Sequence, residues 1–510
     1  MKKVKYSMIT LALAFVSMSV ISCSDSLLEE KLYDRLGASS LPSGAEGANQ
    51  LVLGIYPNLQ ANRLHTLLIY ASDAESDVLW VNWGGTDPKA GWGGQMHFHT
   101  LDLSHSAASD SWTRCYQIIA QCNEAIRLFG EEAKTDTKVN TIIAEALFWR
   151  AWSYNWLIKV FGDVPLVKGG EDMSNGLART PKAEVLEFII GDLKSIESAL
   201  PPSRQASEYG RPTRWAAKTL LANIYLNRKD WTNASLYAKD VIDNGGFELM
   251  DYYHDVFGID ENKEVIQVGV CVGEYYRGNN FDALSLEAGL VRALKITGYS
   301  ASNGFGMTIP FFNTFDPKDE RREDFNPDTQ KGIMIHGYIS DTNGEPLYKN
   351  ADGEPITAEE SLYRVVAMKY PMEANPTRGE WMNADYVIMR LAEVYLTYAE
   401  AQNELGDSGE ALKYINLIRK RASLDELSAS LTKEQIRDAV LDERGWELYF
   451  EGYRRDDLIR HGKLLEKARI VWEYYLDIPW TYENDSFRNL FPIPANAMIR
   501  NPLLVQNPGY

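Results

Sequence analysis

The chain is poor in cysteine and histidine, with 4 and 7 among its 510 residues. So few cysteines exclude a disulfide scaffold. None of the histidines is followed by glutamate, so there is no HExxH zinc site. No P-loop and no GxSxG nucleophile elbow occurs, and Gly304-Phe305-Gly306 lacks both the third glycine and the βαβ setting of a dinucleotide fingerprint. Positive charge is short as well: 52 basic residues stand against 71 acidic ones, for a net charge of −19. That balance argues against a nucleic-acid partner, whose phosphates need a basic face. Beyond the first 22 residues no apolar run is long enough to cross a membrane. What is abundant is apolar and aromatic content, 45% and 11%, enough for a large core or a stacked array.

The N-terminus sets the expected compartment. Lys2, Lys3 and Lys5 precede an almost unbroken apolar run, Ser7 to Ile21, which is too short for a spanning helix and has the length of a signal-peptide core. The run ends in Val20-Ile21-Ser22-Cys23, which resembles a bacterial lipoprotein box. Residues 1–22 are then a cleaved signal peptide, and Cys23 is the lipidated first residue of the mature chain. Residues 23–36, with the acidic stretch Ser24 to Glu30, form a flexible tether. Of the other cysteines, Cys115 and Cys122 lie two turns apart on one expected helix, about 10 Å, which is too far for a disulfide. With Cys271 they are read as buried thiols.

Most of the remaining chain reads as helix pairs. Apolar residues recur at three and four from Val139 to Phe161, stopping at Gly162 with Pro165 just beyond. Glu184 to Leu200 is a second amphipathic helix ended by Pro201-Pro202. Trp215 to Leu226 and Trp231 to Ile242 form a hairpin about a four-residue turn, and Leu391 to Leu405 with Glu410 to Arg421 form another. In both, alanine opens the second helix (Ala234, Ala411) and an apolar residue follows four later (Ala238, Ile415), a pattern that resembles tetratricopeptide repeats. Residues 73–110 and 244–385 break this rhythm with Gly, Asn, Asp and Pro, and the strand-like run Val265 to Val272 sits among them. Long irregular stretches inside a compact chain are usually functional, so ligand contacts are expected there.

These segments carry a family resemblance. Arg150-Ala151-Trp152-Ser153-Tyr154 leads into Phe161-Gly162-Asp163-Val164-Pro165; then come Arg179-Thr180-Pro181 and Gly210-Arg211-Pro212-Thr213. Arg390-Leu391-Ala392-Glu393, Glu443-Arg444-Gly445-Trp446-Glu447-Leu448, Glu451-Gly452 and the terminal Gln506-Asn507-Pro508-Gly509-Tyr510 complete the series. Together they resemble the SusD/RagB family over nearly the whole mature chain. The resemblance implies one mostly α domain over 37–510, with an N-terminal part to about 245 and a C-terminal part from about 246. Tetratricopeptide-like hairpins would be its scaffold and loops its ligand region. It further implies a surface lipoprotein of the outer membrane that captures an oligosaccharide and delivers it to a SusC-like TonB-dependent transporter. The RagB branch implies oligopeptide as the alternative ligand. Ligand-site residues do not carry over, because the shared blocks are scaffold motifs.

The candidate chemistry is therefore read from the residues. Glu443, Glu447 and Glu451 recur at steps of four and could imitate a glycosidase carboxylate pair, which sits about 5–5.5 Å apart in retaining enzymes. Arg444, Arg454 and Arg455 crowd the same segment, so ion pairing is the better reading and no catalytic residue is assigned. His97 and His99 alternate as on a strand and read as its polar face rather than as metal ligands. Asp341 to Glu345 resembles a calcium loop without EF-hand spacing; a structural calcium is allowed, and no cofactor is required. Aromatic rings remain: an indole or phenol covers the C–H face of a sugar while Asp, Asn or Arg satisfies its hydroxyls. Trp80, Trp83 and Trp92, preceded by Asp73 and Asp77, are expected to meet Tyr275, Tyr276, Arg277 and Asn280 at the ligand. Trp152, Trp215 and Trp446 are assigned to packing.

Overall fold

Asp136 accepts hydrogen bonds from the Lys138 and Val139 N–H groups at 2.7 and 3.2 Å and so starts a helix that runs to Phe161. Gly162 ends it with a φ of +75°, a conformation that side chains resist. The same local logic recurs along the chain. The computed structural model describes residues 41–59, 64–82, 91–172, 174–273, 278–296, 301–326, 331–341, 343–370, 381–477, 479–480 and 486–510. In chain order its principal helices are α1 (Gly44–Leu53), α2 (Trp92–His97), α3 (Ser106–Ala133), α4 (Thr137–Phe161), α5 (Lys182–Ile196), α6 (Arg214–Asn227) and α7 (Trp231–Asn244). After a loop-rich region follow α8 (Leu391–Leu405), α9 (Ser408–Arg421), α10 (Lys433–Leu448), α11 (Arg454–Arg460) and α12 (Leu464–Leu476).

Neighbours in sequence pack as neighbours in space. α3 lies along α4, α4 on α5, α6 on α7, and α8 on α9. The two expected hairpins stack directly, because α7 packs against α8. Asp230 and Asp407 cap their second helices through the N–H groups of Asn233 and Glu410. Ala234, Ala238, Ala411 and Ile415 are fully buried at the seam, where small residues let the helices approach. The fold is mostly α, as the periodicity indicated, although α5 ends at Ile196 rather than Leu200.

Strands are short and come in pairs. β1 (Leu79–Val81) is antiparallel to β3 (Phe305–Met307), with Trp80 opposite Gly306. β2 (Val265–Gly269) pairs with β6 (Tyr386–Arg390), and β4 (Met334–Ile335) with β5 (Val366–Ala367). A bridge from Met307 to Val365 joins the β1–β3 and β4–β5 pairs. The 73–110 stretch is more regular than expected, since it holds β1, α2 and the start of α3.

The family-like blocks turn out to be cross-links between distant segments. Arg150 forks onto Asp192 at 2.9 and 3.0 Å. Arg179 reaches the Phe161 and Asp163 carbonyls and the Asn507 side chain, tying α4 to the C-terminal tail. Cys115, Cys122 and Cys271 are free and buried. Trp152 and Trp215 are buried, and Trp446 packs on the core edge while its indole N–H donates to Thr314 at 2.9 Å.

Candidate functional site

The acidic segment before β1 turns inward. Asp77 forms a two-point ion pair with Arg454, both contacts at 2.8 Å, and Glu75 pairs with Arg455 at 2.9 Å. The Asp73 carboxylate is fully buried and accepts from the Gly452 N–H at 3.1 Å. Asp73 and Asp77, expected to face the ligand, instead tie the N-terminal part to the block that opens α11. Sequence spacing could not show this, because their partners lie 377 and 379 positions away.

Trp80 is also enclosed. Its ring is sandwiched between His97, centroids 4.6 Å apart, and Tyr475 at 4.0 Å. Trp92 is half-buried, stacks on His105 at 4.9 Å and donates its indole N–H to Ser106 at 2.7 Å. His97 ends α2 and His99 follows in a turn with a φ of +52°, so neither lies on a strand face. His97 is buried, accepts from the Val81 N–H at 2.8 Å and has its pKa pushed down to about 4 by desolvation. The glycines here serve the fold: a Cβ on Gly93 would sit 2.5 Å from the Val81 carbonyl, so glycine is what lets α2 lie on β1.

Trp83, Tyr275, Tyr276 and Arg277 lie outside the described residues, as does Cys23. The residues flanking the expected loops are described, and they converge. Asn82 donates its N–H to the Gly304 carbonyl at 2.7 Å and its amide to Asn303 at 3.3 Å. Gly304 in turn donates to Leu284, and Ser302 to Ala283, on the short helix Phe281–Ser285 that Asn280 precedes. Asn279 exchanges backbone hydrogen bonds with Met382 at 2.9 and 2.7 Å. A continuous hydrogen-bonded stack thus joins Asn82, Asn280 and Met382, three positions far apart in sequence.

The carboxylate ladder is sealed. Arg321 contacts Glu443 at 2.7 Å and Glu447 at 3.0 Å. Arg390 bonds Glu264 at 2.9 Å, Glu451 at 2.7 Å and Glu447; Arg421 adds Glu264 and Glu447, and Lys369 holds Glu451 at 2.6 Å. All of these side chains are at most 4% exposed, so no substrate reaches them. Burial by itself would raise the Glu447 pKa, but Arg421, Arg390 and Arg321 outweigh it and hold the carboxyl well below the usual range. Glu451 lies beyond the end of α10, so the ladder is assembled by a turn as well as a helix. Asp341 takes the Asn343 and Glu345 N–H groups and caps its own turn. Among the described residues no three His, Cys, Asp or Glu side chains come together as a metal site would need.

Two family models match. One, described as the SusD family, covers residues 298–510; the other, described as starch-binding associating with outer membrane, covers residues 48–226. The chain is 27% identical to a SusD-like protein P2 of Formosa agariphila over the full length of both. It is 27% identical to the starch-binding protein SusD of Bacteroides thetaiotaomicron over 74% of each chain. Its fold matches that of surface glycan-binding protein A from Bacteroides uniformis with a TM-score of 0.71 at 21% identity, covering 91% of this chain and 99% of that one.

Proposed function

The chain belongs to the SusD family, and on that premise we propose that it captures an oligosaccharide at the cell surface and passes it to a SusC-like outer-membrane transporter. The observation that carries this reading is the match to a starch-binding relative over 74% of both chains. The converging loop stems around Asn82, Asn280 and Met382 supply a place for the ligand. In this reading the rings of Trp83, Tyr275 and Tyr276 grip the sugar from that face, and Arg277 meets its hydroxyls. Binding without turnover is supported by the Glu443, Glu447 and Glu451 carboxylates being held in buried ion pairs. Cys23 carries the lipid that holds it to the outer membrane.

Calorimetry against a panel of polysaccharide fragments tests the reading, with an oligopeptide pool as the competing class. One sugar face hides roughly 50 Å², on the order of 1 kcal/mol at about 25 cal/mol per Å², so several rings must act together. Trp83→Ala is expected to weaken binding by about tenfold to a hundredfold at an unchanged melting temperature. Chromatography of the same incubations is expected to show no released sugar. Binding of peptides in place of glycans removes the proposal.

A further inference from the structure

The exposed aromatic rings among the described residues are three tyrosines, and they surround one short helix. Tyr338, Tyr363 and Tyr474 are 71%, 68% and 51% exposed, whereas Trp80 on β1 is buried and Trp92 half-buried. Tyr338 follows Gly337, whose carbonyl accepts the Ala358 N–H at 2.9 Å, so it stands beside the start of the helix Ala358–Leu362. Tyr363 stands at the other end of that helix, about 7.5 Å along at 1.5 Å per residue. Glu359 lies between them. α12 reaches the same place: Tyr475, next to Tyr474, accepts the Ile309 N–H at 3.1 Å, Phe312 on that turn lies 4.6 Å from the His336 ring, and the His336 carbonyl accepts the Glu359 N–H at 3.2 Å.

Two further observations set this patch apart from scattered surface rings. Tyr363 caps its helix in the left-handed conformation, φ +54° and ψ +27°, where glycine or asparagine ordinarily stands. Its ring is left mostly exposed rather than buried in compensation, and strain of this kind gathers at functional positions. Tyr474 also begins a ladder of rings running inward: Tyr475 at 5.0 Å, Trp80 at a further 4.0 Å, then His97 at 4.6 Å. Trp80 lies two residues before Asn82, whose hydrogen bonds start the converging stems. The ring ladder therefore connects Tyr474 on α12 to the strand that leads into Asn82.

We propose that Tyr338, Tyr363 and Tyr474 form a second carbohydrate platform, which holds a neutral pyranose chain longer than the capture face alone can accommodate. Each phenol covers the C–H face of a sugar ring. Glu359, partly buried at the start of the helix, accepts from the sugar hydroxyls. The net charge of −19 disfavours a uronate chain. Because two patches engage one chain, the platform adds avidity for polymers and none for fragments that span a single patch. The inference rests on the glycan-capture reading.

Affinity electrophoresis of the detergent-extracted full chain in gels cast with starch, xyloglucan, galactomannan or mixed-linkage β-glucan first finds the polymer that retards it most. The double variant Tyr363→Ala/Tyr474→Ala is then expected to lose about tenfold in affinity for that polymer. Its affinity for the disaccharide of the same polymer should not change, and the double Phe variant should keep both. Tyr363→Gly separates binding from folding: glycine suits the left-handed backbone, so this variant should melt higher while binding the polymer more weakly. Tetranitromethane should nitrate the three tyrosines in the free protein and spare them when the polymer is bound. Unchanged polymer affinity in the double Ala variant, or full nitration under saturating polymer, overturns the platform and leaves the capture reading standing. A wild-type chain retarded by none of the four polymers overturns both.

Discussion

At the scale of single residues, opposite charges decide what the acidic side chains do. Asp77 holds a guanidinium that is almost wholly buried, and removing one partner of such a pair leaves an uncompensated charge in the interior. Asp77→Ala should therefore cost about 3–5 kcal/mol, read as a lower denaturation midpoint in urea. A variant within 1 kcal/mol of wild type, on the order of the usual surface effect, would return Asp77 to the ligand face. Glu393 behaves in the opposite sense from Glu447. It is fully buried, accepts from the Tyr453 hydroxyl at 2.7 Å, and desolvation pushes its pKa up from 4.5 to about 7. A raised carboxyl stays protonated in the fold after the unfolded chain has released its proton. Stability linked to it therefore falls as pH rises from 4.5 to about 7. Glu447, held low by three arginines, contributes stability above its unfolded value of 4.5 that is lost as pH falls below it. Glu393→Gln should flatten the decline in melting temperature between pH 4.5 and 7 and leave the acid limb in place. An unaltered slope in that window refutes the assignment.

At the scale of elements, close approach explains several residues that composition alone misattributes. Glycines surround Trp92, and Gly93 is used to seat α2 on β1. Gly93→Ala must displace the helix or the strand, at about 1–3 kcal/mol by analogy with overpacked cores. Because β1 leads to Asn82, the same change should weaken glycan binding, which calorimetry on the folded variant would show. Normal stability together with normal affinity would mean that α2 tolerates the shift. The helices themselves were legible, because period and caps are local: Leu391–Leu405 was placed to the residue, and Asp407 caps the following helix as its position suggests. The buried histidines were not legible, since alternation of His97 and His99 looks the same in a strand as at a helix end.

At the scale of the whole molecule, the described body begins at residue 41 with α1 against α3 and α4, well past the proposed lipid attachment at Cys23. Cys23→Ala should accordingly release the protein from the outer-membrane fraction while leaving its melting temperature unchanged. Continued sedimentation with membranes would count against the lipoprotein reading.

The sequence by itself determined the helical class, the two helical hairpins and the family blocks, because each rests on short-range periodicity or an unbroken motif. Only the tertiary structure decided which aromatic and acidic residues are free to meet a ligand. Trp80 and Asp77 are closed off by Tyr475 and Arg454, partners hundreds of positions away, while Tyr338, Tyr363 and Tyr474 are left in the open. Exposure is a property of what packs on a side chain, and that is fixed only when distant segments meet.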